Sequence, residues 1–339
     1  MPAVPIIDFA PFRRGGADDR RVVARAIDDA CRSIGFLVIT GHGVPAELVA
    51  RVETVSRRFF DLPLAAKMAV ARPAPSVTRG YISLGGEAVA RSRGAETPGD
   101  LNESFMIGPV EPPAGMTVDD GYFTCPAAGA HFAPNLWPLE PAELKPAYID
   151  YFRAMESLAA DLMRAFALAL ELAPEFFDAK IDRHISRLRV RNYPSQAVAP
   201  AAGQLRAGAH SDYGSLTILR AEDRPGGLQV FDRAGAWSDV PMLPDCFIVN
   251  IGDLMAQWTN DAWVSTLHRV VNPPPERAAD SRRQSLVFFH NPNYDAAIAC
   301  LPSCCGADRP PKYPPTTSGE YLRSRFTATQ IAMTPAPAK

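Results

Sequence analysis

The feature that most constrains this chain is a change of texture near residue 185. From there on, short runs rich in Val, Ile, Leu, Phe and Tyr recur between Gly, Pro, Asn and Asp, at 185–193, 206–219, 227–232, 246–251, 264–271, 283–290 and 296–301. Many short strands at regular spacing predict an all-β sandwich or barrel. Gly226-Gly227 has no helix after it, so it reads as a turn between strands and not as a phosphate loop.

The N-terminal half is patterned differently. Pro5-Ile-Ile-Asp8 looks like a short strand, and Asp18 or Asp19 can cap a helix carrying Val23, Ile27, Cys31 and Ile34 at helical spacing. Gly35 ends that helix and Phe36–Thr40 reads as a strand. The turn Gly41-His42-Gly43 leads to Pro45 and a second amphipathic helix toward Phe60. Residues 62–145, rich in Gly, Pro and Ala and weakly periodic, predict long loops over the core, where substrate contacts are often found. Tyr148, Tyr151, Met155, Leu158, Leu162, Ala165 and Ala169 then step by three and four, the stripe of a helix backing a sheet. A last helix is expected near 317–328, before a proline-rich tail. The expected class is α+β with a mainly β core. Three stretches (1–120, helical and looped; 121–305, supporting helix and β core; 306–339, terminal helix and tail) form one catalytic unit.

Composition removes several function classes. With 35 basic and 37 acidic side chains there is no basic footprint for nucleic acid. The most apolar region, 158–173, is interrupted by Asp161, Arg164 and Glu171, and the N-terminal apolar stretch is short. Neither a membrane span nor a signal peptide is expected, and the predicted location is cytoplasmic. The six cysteines are too few for a disulfide scaffold in a chain this long. Cys300, Cys304 and Cys305 are close in sequence, but without CxxC spacing they read as packed thiols and not as a metal site.

The chemistry concentrates in Ala209-His210-Ser211-Asp212-Tyr213. On an extended strand residues two apart share a face, so His210 and Asp212 project together. His268 on another predicted strand completes two imidazoles and a carboxylate. That set leaves three metal positions open, as in non-haem Fe(II) oxygenases. A bidentate 2-oxo acid can take two of them and O2 the third. Arg283-Gln284-Ser285 presents a guanidinium fork beside a hydroxyl, again two apart, which suits a carboxylate. Of the other histidines, His42 reads as structural, and His131 and His184 as surface or packing residues. Strand parity puts Phe289 on the face of Arg283 and Ser285, with His290 opposite.

With these motifs the sequence resembles the isopenicillin N synthase-like branch of the 2-oxoglutarate/Fe(II) oxygenases over nearly its whole length. The resemblance is carried by Pro5-Ile-Ile-Asp8, His42-Gly43-Val44, Asn192-Tyr-Pro194, His210-Ser-Asp212, Gly226-Gly-Leu-Gln229, Asn250-Ile-Gly-Asp253, Trp258-Thr-Asn-Asp261, His268-Arg-Val270 and Arg283-Gln-Ser285. It implies a double-stranded β-helix, or jelly roll, and Fe(II), 2-oxoglutarate and O2 as cofactor and co-substrates. It also implies His210, Asp212 and His268 as metal ligands and catalytic centre, and Arg283 and Ser285 as anchor of the distal 2-oxoglutarate carboxylate, helped by Tyr193. Arg191 stands where several relatives carry an Asn near the co-substrate. Three readings stay open for it: co-substrate contact, substrate contact, or structural ion pair.

The implied reaction is hydroxylation, or a related C–H oxidation, of a small molecule, with succinate and CO2 as co-products. Arg79, Tyr81, Asn102, Tyr213 and Phe289 are the candidate substrate residues. Residues 203–220 and 251–301 are similar to thymine 7-hydroxylase-like members, which implies a planar polar substrate such as a pyrimidine or an amino acid. The alternatives are an oxidase without 2-oxoglutarate, for which Gln330 could be the C-terminal glutamine; an ethylene-forming type; and a jelly-roll binding protein without catalysis. The sequence leaves the oligomeric state open.

Overall fold

Strands from both halves of the chain form two facing sheets, described in a computed structural model over residues 4–113, 115–196 and 198–328. In chain order the core strands are β1 (Ile6–Asp8), β2 (Phe36–Thr40), β3 (Gly80–Ile82), β4 (Glu103–Ile107), β5 (Arg187–Tyr193) and β6 (Ala207–His210). They continue as β7 (Leu216–Ala221), β8 (Leu228–Phe231), β9 (Trp237–Asp239), β10 (Phe247–Ile251), β11 (His268–Val270) and β12 (Arg283–His290). The larger sheet runs β1-β2-β10-β7-β12-β5-β4-β3 and the smaller β6-β11-β8-β9. Apart from the parallel pair β1–β2, the neighbours are antiparallel. The pair of sheets is a jelly-roll core in an α+β chain.

Alternation along the strands divides the larger sheet into two working faces. Leu188 and Val190 of β5, Leu286 and Phe288 of β12, and Leu37 and Ile39 of β2 point one way, into a core shared with the helices. The helix Leu144–Ala169 backs this face and packs across the helices Ala17–Ser33 and Ala46–Phe60. Its stripe of Tyr148, Tyr151, Met155, Leu158, Leu162 and Ala165 is at most 2% exposed. Each large apolar member stabilises the layer by about 1.5–3 kcal/mol. Phe36, Val38, Tyr193 and Ile248 point the other way, against Ala207, Leu228, Val230 and Val270 of the smaller sheet. The candidate site lies in this second layer.

Local rules explain the helix ends. Asp19 acts from inside the first turn of Ala17–Ser33, its Oδ2 accepting the Gly16 N–H at 2.9 Å, so Gly16 and not an aspartate holds the cap position. At the other end Gly35 has φ +67°, and a Cβ there would lie 1.9 Å from the Val264 carbonyl oxygen. Only glycine makes this turn into β2 without displacing backbone.

The structure corrects the sequence reading in four places. Residues 62–145 are not only loops: β3 and β4 extend the larger sheet, so strands from both sides of residue 120 share it. The run 206–219 divides at 211–215 into β6 and β7. The strand β9 and a short helix, Asp253–Trp258, were not foreseen. Among the described residues no helix is long and apolar enough to cross a membrane. Gln330 and the proline tail at 335–337 lie outside the described residues.

Candidate active site

His210 ends β6, His268 begins β11, and the register sets them directly opposite each other. Their ring centroids are 4.3 Å apart. Asp212 follows in the connection between β6 and β7, so it reaches the same point from outside the regular strand that the sequence suggested. Its Oδ1 lies 3.9 Å from His210 Nε2 and 3.7 Å from His268 Nε2. Together these residues offer three ligand atoms within 4.8 Å of one another.

Each group is oriented by a second contact. The Nδ1 atoms of His210 and His268 sit 2.8 and 3.1 Å from the carbonyls of Gly208 and Thr266. A carbonyl can only accept, so Nδ1 carries the proton and the Nε2 lone pairs face inward. Asp212 Oδ2 accepts from Thr217 Oγ1 at 2.6 Å and from Asn250 Nδ2 at 2.7 Å. That leaves Oδ1 for a metal. Burial and the neighbouring His268 push His210 down to about 3, so its imidazole is neutral near pH 7. Burial alone would raise the Asp212 carboxyl, but the two imidazoles and the bonds from Thr217 and Asn250 hold it below the usual range. Two imidazoles and a carboxylate on one side form a donor set that fits Fe(II).

The short helix Asp253–Trp258 fixes this connection. Its first N–H groups donate to the carbonyls of Asp212 at 2.8 Å and of Tyr213 and Gly214 at 3.2 Å. A Cβ on Gly252 would lie 2.2 Å from the Gly214 carbonyl oxygen, so glycine permits the approach. The otherwise unsatisfied N–H groups of a helix start therefore clamp the backbone that carries Asp212.

Beside the triad, the β5–β12 register pairs Arg283 with Tyr193, Ser285 with Arg191, Val287 with Arg189 and Phe289 with Arg187. All eight side chains share the inner face. A cleft of about 40 Å³ reaches from the triad to Arg283 and Ser285. Arg283 is 1% exposed and its Nε donates to the Glu222 carbonyl at 3.1 Å. Its guanidinium lies 5.2 Å from the Tyr193 ring centre. Among the described residues, Arg283 Nη1 and Ser285 Oγ are buried and have no hydrogen-bond partner. A buried polar group left so costs about 1–3 kcal/mol. A cation and a hydroxyl held open side by side suit the carboxylate of a bound acid.

A second cavity, of about 90 Å³, also reaches His210 and Asp212. Tyr213 and Phe289 line it, together with Arg72, Glu87, Arg187 and Arg189. Arg191 borders both cavities. Three candidates are not brought there. Arg79 is buried and donates to the Thr78 and His131 carbonyls. Tyr81 sits in the helix-side core with its hydroxyl on Glu103 at 2.5 Å. Asn102 lies behind Arg191 and donates to the Arg206 carbonyl at 2.8 Å. The sequence reading passed over Asn250 and Thr217 as supports of Asp212. It also passed over Arg187 and Arg189, although Arg187-x-Arg189-x-Arg191 was a visible signal: charges at period two on a strand whose other face is apolar. His42 bonds locally to the Val44 N–H, and His184 to Glu156 at 3.0 Å. His290 faces Ser215 Oγ at 2.8 Å, outside both cavities.

Known proteins share these features. Residues 184–292 match the 2OG-Fe(II) oxygenase superfamily, and residues 4–140 match the N-terminal region of non-haem dioxygenases in morphine synthesis. The chain is 34% identical to a 2-oxoglutarate-Fe(II) type oxidoreductase of Emericella nidulans, over 96% of this chain and 89% of that one. It is also 34% identical to validamycin A dioxygenase of Streptomyces hygroscopicus subsp. limoneus, over 90% and 81%. Among solved structures, thymine 7-hydroxylase of Neurospora crassa in complex with α-ketoglutarate and thymine superposes with TM-score 0.82 at 32% identity, covering 96% of each chain. The chain belongs to the 2OG-Fe(II) oxygenase superfamily: it is a dioxygenase that uses Fe(II), 2-oxoglutarate and O2 to oxidise a small molecule at a C–H bond, with succinate and CO2 as co-products.

Proposed function

We propose that His210, Asp212 and His268 hold the Fe(II), and that Arg283 and Ser285, with Tyr193 beside them, anchor the distal carboxylate of 2-oxoglutarate. The observation that carries this reading is the pair of buried, partnerless polar atoms, Arg283 Nη1 and Ser285 Oγ, in a cleft that ends at the triad. When bound, the metal and the 2-oxo acid supply the activation of O2. The protein orients and excludes. Phe36 packs edge-on against His268, with ring centroids 5.4 Å apart, and Leu219, Leu228 and Val287 line the cleft with apolar surface. Arg191 lies where it can face both co-substrate and substrate. Its direct hydrogen-bond partner among the described residues is the Asn102 amide oxygen, with Glu87 and Asp100 acting on it electrostatically, which supports the contact readings over a close ion pair.

The substrate reading is a small planar polar compound, such as a pyrimidine or an amino acid, with Phe289 and Tyr213 at the cavity wall. Both line the cavity beside the triad, and a relative of the same fold has been solved with thymine. A cytoplasmic setting suits the six free cysteines. The test is 2-oxoglutarate-coupled succinate release over a panel of pyrimidines, amino acids and small aromatic compounds. One class should raise succinate output in an Fe(II)-dependent way. His210→Ala should reduce it to background, and undiminished turnover in that variant would overturn the assignment.

A further inference from the structure

The substrate cavity carries more positive charge than its own acids answer. Arg72, Arg187, Arg189 and Arg191 all line it, against Glu87 and the triad's Asp212. Glu87 is shared: its Oε1 accepts from Arg72 at 2.9 Å and its Oε2 from Arg189 at 2.5 Å. Arg189 is completed by two bonds to Ser104 Oγ, at 2.8 and 3.1 Å. Among the described residues Arg191 Nη1 meets the Asn102 amide oxygen at 3.4 Å, with Glu87 and Asp100 acting on it from farther away. Asp100 stands behind the wall, and its oxygens accept the Val89 and Gly208 N–H groups at 3.0 Å each. Arg79, buried next to Arg187, adds a further cation that donates to Thr78 and His131 oxygens. The charges of Fe(II) and 2-oxoglutarate cancel each other, so cofactor loading leaves the surplus in place.

Such a surplus is unfavourable without an occupant. Burial, Arg79 and Arg189 push Arg187 down to about 9, and burial with Arg191 pushes Arg189 down to about 10. Like charges at this depth repel with little screening, and an anion entering among them is stabilised by several guanidinium forks at once.

We infer that the compound this enzyme oxidises carries a carboxylate, received among Arg187, Arg191 and Arg72, while Phe289 covers its apolar part. This rests on the proposed iron and 2-oxoglutarate site and narrows its substrate from planar polar molecules in general to small organic acids. A neutral pyrimidine would leave the arginine row without an anion. The cavity, about 90 Å³, takes an acid of modest size and no polymer.

The experiment is anaerobic calorimetry on the full chain loaded with Mn(II) and saturating 2-oxoglutarate. Matched probes are benzoate against benzamide, phenylacetate against phenylacetamide, and N-acetylglycine against its amide. At least one acid should bind tenfold or more tightly than its amide, and the difference should shrink severalfold in Arg187→Gln. Arg72→Gln, at the partly exposed edge of the row, is the second variant and should shrink it too if Arg187→Gln does not fold. Equal binding of acids and amides, no binding of any acid at millimolar concentration, or a preference undiminished in the folded variants overturns the inference. Failure to bind 2-oxoglutarate in the titration that precedes the probes would instead refute the proposed co-substrate site.

Discussion

At one end of the inner face of β5 and β12, Arg283 stands opposite Tyr193 and keeps Nη1 without a protein partner. Two rows along, Arg189 stands opposite Val287 with its guanidinium bonded to Glu87 and Ser104. Both are buried arginines on neighbouring strands of one sheet, 1% and 6% exposed. They differ in whether the fold completes them. Folding closes the circle around Arg189, which then serves as wall. It leaves Arg283 Nη1 open among the described residues, and such a buried donor suits a ligand from outside. Burial and charge alone therefore do not identify a binding residue; unmatched hydrogen-bond capacity that faces a cleft does, since Arg79 Nε is also without a partner among the described residues but borders neither cavity.

Substitution of the two arginines should separate these roles. Arg283→Gln removes the fork proposed to hold the distal carboxylate, and a charge-assisted pair of this kind is worth about 1.5–3 kcal/mol. The KM for 2-oxoglutarate should rise roughly 10- to 100-fold while metal content holds. Arg189→Gln should instead cost stability of about 1–3 kcal/mol, because Glu87 loses one of its two cations. Its KM for 2-oxoglutarate should change little. A KM shift as large in Arg189→Gln as in Arg283→Gln would dissolve the contrast.

The next effect concerns a residue that touches the metal site only through another. Asn250 donates to Asp212 Oδ2 at 2.7 Å and is 2% exposed. Asn250→Ala should free the carboxylate to rotate and weaken metal retention or activity roughly tenfold or more, as loss of such supporting contacts does. Metal content after dialysis against chelator reads it directly. Thr217→Val should act the same way through the 2.6 Å bond. Retention equal to that of the parent chain in both variants would show that the clamp from Asp253–Trp258 suffices to hold Asp212.

How much of this was legible follows from which forces set each part. The triad and the Arg283–Ser285 pair could be read because period-two spacing turns sequence distance into shared direction, and few residue types do that chemistry. The helix Leu144–Ala169 was legible for the same reason at period 3.6. The connection carrying Asp212 was not legible, because it depends on Asp253, Leu254 and Gly252 arriving from some forty residues downstream. Nor was β4: Glu103-Ser-Phe-Met-Ile107 has little alternation, since both of its faces are buried, and flanking Gly and Pro disguised it as loop. Arg79, Tyr81 and Asn102 were misplaced because their neighbours in sequence do not say which face of β3 and β4 meets the cavity. That is decided only when β4 pairs with β5.

The smallest effect lies at the far end of β12, on the face opposite Arg283. His290 is 1% exposed on the strand that carries Arg283, its Nδ1 facing Ser215 Oγ at 2.8 Å and its ring 5.8 Å from that of His184. Burial, then the nearby His184, holds it well below the ordinary histidine range. His131 is pushed down to about 3, chiefly by burial, and His42 is lowered for the same first reason. In the unfolded chain these imidazoles titrate near about 6.5. Above that pH neither state binds the proton and stability is unaffected. Below it the unfolded chain takes protons that the native state refuses, so stability falls with falling pH. The metal-free protein should therefore lose Tm between pH 7 and pH 5, with each such group contributing at most about 1.4 kcal/mol per pH unit. His290→Gln keeps a hydrogen-bonding amide near Ser215 but cannot titrate. Whatever it does to Tm at neutral pH, it should flatten the acid slope by up to one group's share. An acid slope as steep in His290→Gln as in the parent chain would mean that this histidine is not part of the acid sensitivity.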